Sequence, residues 1–273
     1  MDINSSTLSF RITLIDLDDL RPHEEIIEQL VTELAKNIQN QGKVRDPLIV
    51  DEQSLVILDG MHRYNAMKKL GCRHAPACLV DYDDHRIEVG AWFRYFNVDD
   101  PDSMAKATLE ALNQKHERIS GSPQNLARSA IITKQSSFTL TLEPDRFAKS
   151  QLAVKIERHI SGQGKHCEYG ADDVVEQRLN SNANMVIPVP IFSKTEIKET
   201  ATAGRLLPHK VTRHIIPSRP LGLNVPLDLL VNYTREEANE KLDHLLSSRH
   251  LDRKPPGSVV DGRRYEEELL VFE

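Results

Sequence analysis

The chain has 273 residues, 39% of them hydrophobic, 28% charged and 5% aromatic, a composition that fits one large domain or two modest ones. Its 35 basic residues against 41 acidic ones leave a formal charge of −6. That balance excludes a general attraction to the nucleic-acid backbone, and the few aromatics argue against a base-stacking platform. No apolar run is long enough to span a bilayer, and Met1-Asp-Ile-Asn-Ser-Ser lacks the basic-then-apolar order of a secretory signal, so the expected location is cytoplasmic.

In chain order, Phe10-Arg-Ile-Thr-Leu-Ile-Asp alternates as a short strand. The loop Asp18-Asp-Leu-Arg-Pro-His-Glu-Glu then feeds a helix over 26–41, where Ile27, Leu30, Val31, Leu34 and Ile38 recur at helical spacing and Gly42 ends the pattern. Pro47-Leu-Ile-Val and Leu55-Val-Ile-Leu read as two strands of a hairpin turned at Asp51-Glu-Gln-Ser. A helix from Gly60 to Leu70, closed by Gly71, leads into the strand Ala75-Pro-Ala-Cys-Leu-Val-Asp. Val89-Gly-Ala-Trp-Phe-Arg-Tyr-Phe is expected to open a second part as a strand. Helices follow over 103–119 and 123–132, then a polar segment, then helices over 145–161, 171–179, 194–203 and 234–246. Val211-Thr-Arg-His-Ile-Ile reads as a strand, and Tyr265 to Phe272 as a returning edge strand. The overall expectation is an α+β protein with a domain over 1–90 and a mixed helix and strand domain over 91–273.

The segment Leu55-Val-Ile-Leu-Asp59-Gly60-Met61-His62-Arg63-Tyr64 concentrates chemistry. A strand that stops at an acid and a glycine before a basic helix presents unpartnered first-turn N–H groups beside Asp59, His62 and Arg63, which makes an anion site. Three further polar sets stand at predicted strand rims: His23 with Glu24, Lys43, and Thr212-Arg213-His214 with Ser218-Arg219. Each has a plainer reading. His23-Glu24-Glu25 suits the first turn of a helix, Lys43 suits the C-terminal carbonyls of the preceding helix, His62 suits a structural histidine, and Arg213 and Arg219 suit pairing with acids of the C-terminal region. Cys72, Cys78 and Cys167 have no metal-binding or disulfide spacing; the first two read as buried thiols, and Cys167, between His166 and Glu168, as part of a loop with a metal role as its alternative. No GxxxxGK[ST] or GxGxxG segment is present, so a nucleotide site has to arise by convergence of the rim sets.

Ile57-Leu-Asp59-Gly60-Met-His62-Arg63-Tyr64 resembles the ParB/sulfiredoxin-like superfamily, which spans nucleotide-dependent DNA-partition proteins, sulfinic-acid repair enzymes, nucleases and kinases. The sulfiredoxin-type catalytic cysteine is missing, and Met61 stands where the ParB box carries a polar residue. With Leu17-Asp-Asp-Leu-Arg-Pro-His23-Glu24 before this box and Thr212-Arg213-His214-Ile-Ile-Pro-Ser218-Arg219-Pro and Leu223-Asn224-Val-Pro226-Leu227 after it, the chain is similar to the free L-serine kinases. The resemblance implies phosphoryl transfer from ATP, or ADP, to free L-serine, giving O-phospho-L-serine for siderophore or cysteine synthesis and a downstream biosynthetic enzyme as partner. It implies Glu24 as general base and Asp59 at the Mg²⁺ site. It further implies Gly60, His62, Arg63, Thr212, Arg213 and His214 around the phosphates, and His23, Lys43, Arg219 and Asn224 toward the substrate, in an active site between the two parts. The alternative is a nucleotide-dependent ParB-like DNA-binding or regulatory protein without kinase activity.

Overall fold

The computed structural model describes residues 1–121 and 128–273. The chain forms two compact units. One comprises Met1–Glu88, Lys194–Leu206 and His214–Glu273, and the other Val89–Ser193 and Leu207–Arg213. This grouping differs from the expected division at residue 90, because residues after 214 pack with the N-terminal segment.

The first unit begins with Asp2–Asn4 (β1), Ser9–Asp16 (β2), Glu28–Gln41 (α1), Lys43–Val44 (β3), Leu48–Asp51 (β4), Ile57–Asp59 (β5), Met61–Lys69 (α2) and His74–Val80 (β6). Five of these strands form a sheet in the order β1-β2-β6-β4-β5, with β4 parallel to β6 and antiparallel to β5. Alternation in β2 turns Phe10, Ile12 and Leu14 into the core, while every residue of β6, second neighbour to both edges, is buried. In α1 the buried residues are Val31, Ala35 and Ile38. Ile27 and Leu30, expected on the same apolar stripe, are exposed. Gly42 ends α1 at φ 65°, a left-handed conformation that suits glycine.

The second unit contains Glu88–Phe96 (β7, from its second residue), Pro101–Ala111 (α3), His116–Ser120 (β8), Ser129–Thr133 (β9), Ser136–Leu140 (β10), Arg146–Ser161 (α4), Glu168–Ala171 (β11), Val175–Ser181 (α5) and Met185–Ile187 (β12). Its sheet runs β11-β7-β12-β9-β10-β8. Here the sequence reading needs correction. The helix expected over 103–119 ends at Ala111, since Asn113 takes a positive φ of 54° and the chain returns as β8. Of the helix expected over 123–132, residues 123–127 lie outside the described residues and 129–132 are strand, with all of β9 buried. The polar stretch that follows is β10, whose Ser136 is buried because its hydroxyl donates to Asp102 at 2.8 Å. The helix expected from 171 starts as a 3₁₀ turn, Asp172–Val174.

The chain then supplies Lys194–Thr202 (α6) to the first unit, and Thr212–Ile215 (β13) carries it back from the second. Ser218–Leu221 (β14), Val225–Pro226 (β15), Leu227–Val231 (α7), Arg235–Ser247 (α8), Leu251–Lys254 (β16), Val259–Val260 (β17), Arg263–Arg264 (β18) and Glu268–Phe272 (β19) complete it. Helix α8 opens on a capping box between Thr234 and Glu237. It is tied to β2 through Asn239, whose Oδ1 accepts from Thr13 Oγ1 at 2.9 Å and from the Leu14 N–H at 2.8 Å. Strand β15 pairs with β3, and β14-β19-β16 form a small sheet. The C-terminal strand is therefore central, not an edge: Leu269 and Leu270 are fully buried, and both flanks of the strand are paired. Among the described residues no helix is long and apolar enough to cross a membrane.

Truncating Leu270 to Ala is expected to cost about 2–5 kcal/mol, the usual penalty for a buried leucine cavity. Urea denaturation of the two proteins measures it, and a cost below about 1 kcal/mol would mean that this strand is not core.

Candidate functional site

Strand β5 is the outer strand of the five-stranded sheet. Asp59 is its last residue, and Gly60 turns the chain at φ 104° directly into α2. No side chain caps this helix start, which leaves its first-turn amides available to an anion. The turn demands glycine on two counts. Its φ lies where side chains are strained, and a Cβ would stand 2.6 Å from Leu48 Cδ2 and 2.9 Å from Arg63 Nη2.

Two arginines converge on the Asp59 carboxylate. Arg63 Nη2 donates to Oδ2 at 2.9 Å and Arg219 Nη1 to the same oxygen at 2.8 Å. Arg63 Nη2 also donates to the Pro47 carbonyl at 3.0 Å, and Arg219 Nε to Glu267 Oε1 at 2.7 Å. Each guanidinium is thus anchored on two sides. Burial disfavours the charged carboxylate, but Arg219 and then Arg63 outweigh it and hold Asp59 far below the ordinary carboxylate range.

The residues before α1 lie alongside. Arg21 forms a parallel bridge with Val56, and the Ile57 N–H donates to the Arg21 carbonyl at 3.0 Å. His23 is buried, with Nδ1 2.7 Å from the Ile57 carbonyl. Since a carbonyl only accepts, Nδ1 carries the proton. Four residues on, the Ile27 N–H donates to His62 Nε2 at 3.2 Å. Glu24, half-buried, lies between these two attachments, and its charge acts on His23. His62 therefore presents Nε2 to the backbone before α1.

His214 packs edge-on against the ring of His23, with centroids 5.2 Å apart. Its Nε2 lies 2.8 Å from the Tyr82 hydroxyl, and it makes a hydrogen bond with the Leu58 backbone. Burial, and then the neighbouring His23, push its pKa well below the ordinary histidine value. Lys194 Nζ stands over the Tyr82 ring at 5.3 Å from its centroid and donates to the Asp84 carbonyl at 2.8 Å.

The other expected positions divide. Lys43 and Asn224 sit on or beside the paired strands β3 and β15: Lys43 is opposite Pro226 and exposed, and the Asn224 N–H donates to the Arg45 carbonyl at 2.9 Å. Asn224 takes a positive φ of 45° and its amide donates to the Gly222 carbonyl at 2.9 Å, the behaviour of a turn residue. Thr212 and Arg213 belong to the second unit. Arg213 pairs there with Asp173 at 3.2 Å and Asp172 at 3.8 Å and lies over Trp92 at 5.6 Å. Ser218 is buried against the Ser5 hydroxyl at 2.8 Å. Met61 is buried as a packing residue. Cys167 lies near Glu157 and Arg94, and burial pushes its thiol up to about 12.

Glu267 and Tyr82 escape sequence reasoning. The expectation that C-terminal acids pair with Arg213 and Arg219 points toward Glu267 without singling it out, and nothing local marks Tyr82.

Comparison with known proteins agrees with this architecture. Residues 3–90 match the ParB N-terminal domain family. An ADP-dependent L-serine kinase, SerK, of Thermococcus kodakarensis is 24% identical over 79% of this chain and 91% of its own length. An ATP-dependent L-serine kinase of Staphylothermus marinus is 26% identical over 80% of this chain and 90% of its own. A solved variant of a free serine kinase in complex with ADP superposes with a TM-score of 0.68 at 20% identity, covering 84% of this chain and 97% of that one, and so shares the fold. The chain thus contains a ParB N-terminal domain and closely resembles the L-serine kinases over most of its length.

Two measurements test this geometry. Gly60→Ala should lose about 1–3 kcal/mol from the positive φ alone, with Arg63 displaced besides, as read by thermal unfolding; unchanged stability would refute the turn. The depressed Asp59 pKa gives stability that is fully present above the unfolded carboxylate value of about 4 and is lost as pH falls through the folded one. Asp59→Asn should therefore show a shallower loss of stability on acidification below about pH 4 than the parent protein, and identical acid slopes would refute the assignment.

Proposed function

We propose that this protein is a free L-serine kinase that transfers the terminal phosphoryl group of ATP to the serine hydroxyl and forms O-phospho-L-serine. The observation that carries this reading is the convergence of Asp59, Arg63, Arg219 and the uncapped start of α2 beside the segment bearing Glu24. Its resemblance to L-serine kinases along about four-fifths of its length supports the same acceptor. ADP is the competing donor, since one such relative is ADP-dependent and another ATP-dependent.

The chemistry asks for little covalent help from the protein. As the serine oxygen attacks the terminal phosphorus, the bond from that phosphorus to the bridging oxygen breaks and the shortened nucleotide leaves. Glu24 accepts the hydroxyl proton. Arg63, Arg219 and the first amides of α2 neutralise the phosphoryl oxygens, and being fixed in advance they need not reorganise as charge shifts. Phosphate oxygens would draw the guanidiniums away from Asp59 Oδ2, which is why Pro47 and Glu267 matter: they keep each arginine at the site while that partner changes.

The donor set also fits a magnesium ion of restricted kind. Among the described residues no three or more His, Cys, Asp or Glu side chains form a metal cage, and Mg²⁺ characteristically takes one or two carboxylates, completing its shell with phosphate oxygens and water. Asp59 would hold it, and it would supply charge neutralisation at the transferred phosphate. Lys43, on its exposed strand end, is assigned to the substrate side. A ParB-like DNA-binding role is disfavoured by the net charge of −6.

Incubation with L-serine, Mg²⁺ and either ATP or ADP, followed by mass identification of the product, tests the assignment. Phosphoserine should form, and Glu24→Ala should slow turnover by about 10²–10⁴-fold. Absence of phosphoserine with both donors would sink the proposed activity, and near-normal turnover of Glu24→Ala would remove that residue as base.

A further inference from the structure

His214 stands in the sequence beside Thr212 and Arg213, a run whose resemblance implies that all three meet phosphate. Its surroundings give it a different task. One ring nitrogen, Nε2, is 2.8 Å from the Tyr82 hydroxyl. The hydrogen bond to the Leu58 backbone falls to the other, Nδ1. A buried neutral imidazole has one donor and one acceptor nitrogen, and a carbonyl can only accept. The ring therefore donates from Nδ1 to the Leu58 carbonyl and accepts at Nε2 from the Tyr82 O–H. With both nitrogens engaged, His214 presents neither to a phosphate.

His23 does the matching job one residue earlier, donating from Nδ1 to the Ile57 carbonyl at 2.7 Å. The two rings pack edge to face at 5.2 Å. Two histidines thus hold the carbonyls of Ile57 and Leu58, the two residues directly before Asp59, on the outer strand of the sheet. The β4–β5 pairing is irregular here, with a register shift between Ile49 and Val50. The ladder alone fixes this strand end less firmly than an inner strand, and the histidines supply the missing restraint. Tyr82 completes the arrangement. It is fully buried, follows β6 by two residues, and its own N–H lies 3.3 Å from the Asp51 carboxylate at the end of β4.

We propose that Tyr82 is a positioning residue for the phosphoryl-transfer site, setting the tautomer of His214 so that His214 and His23 together hold the strand end that delivers Asp59, and that His214 is no phosphate ligand. The assignment of Asp59 to catalysis rests on the kinase reading, whereas the hydrogen-bonded arrangement stands apart from it. A group acting through another in this way governs placement of a reacting partner, so its removal lowers turnover more than it weakens ground-state binding.

The test has two arms. In the first, long-range proton–nitrogen spectra of the ¹⁵N-labelled full-length protein identify the His214 ring by its loss in His214→Asn. The expected pattern is a neutral ring protonated at Nδ1, unchanged when ADP or inorganic phosphate is added, and altered in Tyr82→Phe. A proton on Nε2, or a His214 ring whose Nε2 signal moves to a donor position on adding ADP, overturns the proposal. In the second arm Tyr82→Phe, assayed well below its unfolding temperature, should lower kcat for serine phosphorylation by about 10- to 100-fold, as loss of a supporting partner does, with both KM values little changed. An unchanged kcat, or a loss carried by the nucleotide KM alone, overturns the positioning role. If the parent protein makes no phosphoserine, the kinase reading falls, and the spectra alone decide whether His214 is held as described.

Discussion

The structure of the first unit turns on one carboxylate oxygen shared by two guanidiniums. Asp59 Oδ2 accepts from Arg63, on the helix that follows it, and from Arg219, on a strand 160 residues away in sequence. A charged carboxylate at this half-buried place is tenable only because both partners are anchored elsewhere, on Pro47 and Glu267. Removing either arginine would leave a partly paired charge, and removing Asp59 would set two cations side by side. The arrangement stores positive charge at a helix start whose own partial charge has the same sign. A multiply charged anion is the natural counterpart of such a place.

The surrounding elements serve this point from different directions. The five-stranded sheet gives β5 a paired partner on one side only. The segment from Arg21 to Ile27 lies along the other side, fastened at Ile57 and again at His62. That double fastening limits where Glu24 can stand. The small sheet of β14, β16 and β19 holds Arg219 within a buried layer, and Glu267 immediately precedes its central strand. Packing of apolar strands and placement of charge are therefore the same event in this part of the molecule.

Much of this was legible in the residues, and the failures have physical causes. Local features read well: the alternation of Ser9–Asp16, the glycine stops at 42 and 60, and the helix over 146–161 all follow from short-range sterics and spacing. The anion-site character of Asp59-Gly60-Met-His62-Arg63 is local too. Partner choice is not local. Arg219 suits an acid from the C-terminal region and finds one, Glu267, yet it also reaches Asp59, and spacing cannot reveal a contact across 160 positions. The acids at 266–268 predict an edge strand, but Glu268 accepts from the Ser6 hydroxyl at 2.8 Å and the strand lies between two others. Ser136 and Ser137 predict a polar connection, but hydrogen bonding and burial on β10 override that composition. Histidines are the hardest to read, since a ring can face an anion or a backbone carbonyl without any change in sequence pattern.

The interrupted course of the first unit bears on how such a protein can be dissected or can evolve. The stretch matching a recognised domain ends at residue 90, but Arg219, Glu267 and the His214 ring enter from beyond residue 213. A fragment trimmed at the domain border would keep the acidic side of the cluster and discard half of its countercharge. The heritable module is therefore a discontinuous one: a core with a large excursion spliced into it. Swaps between relatives that respect only the amino-terminal border would exchange an aspartate without the arginine that makes it tolerable.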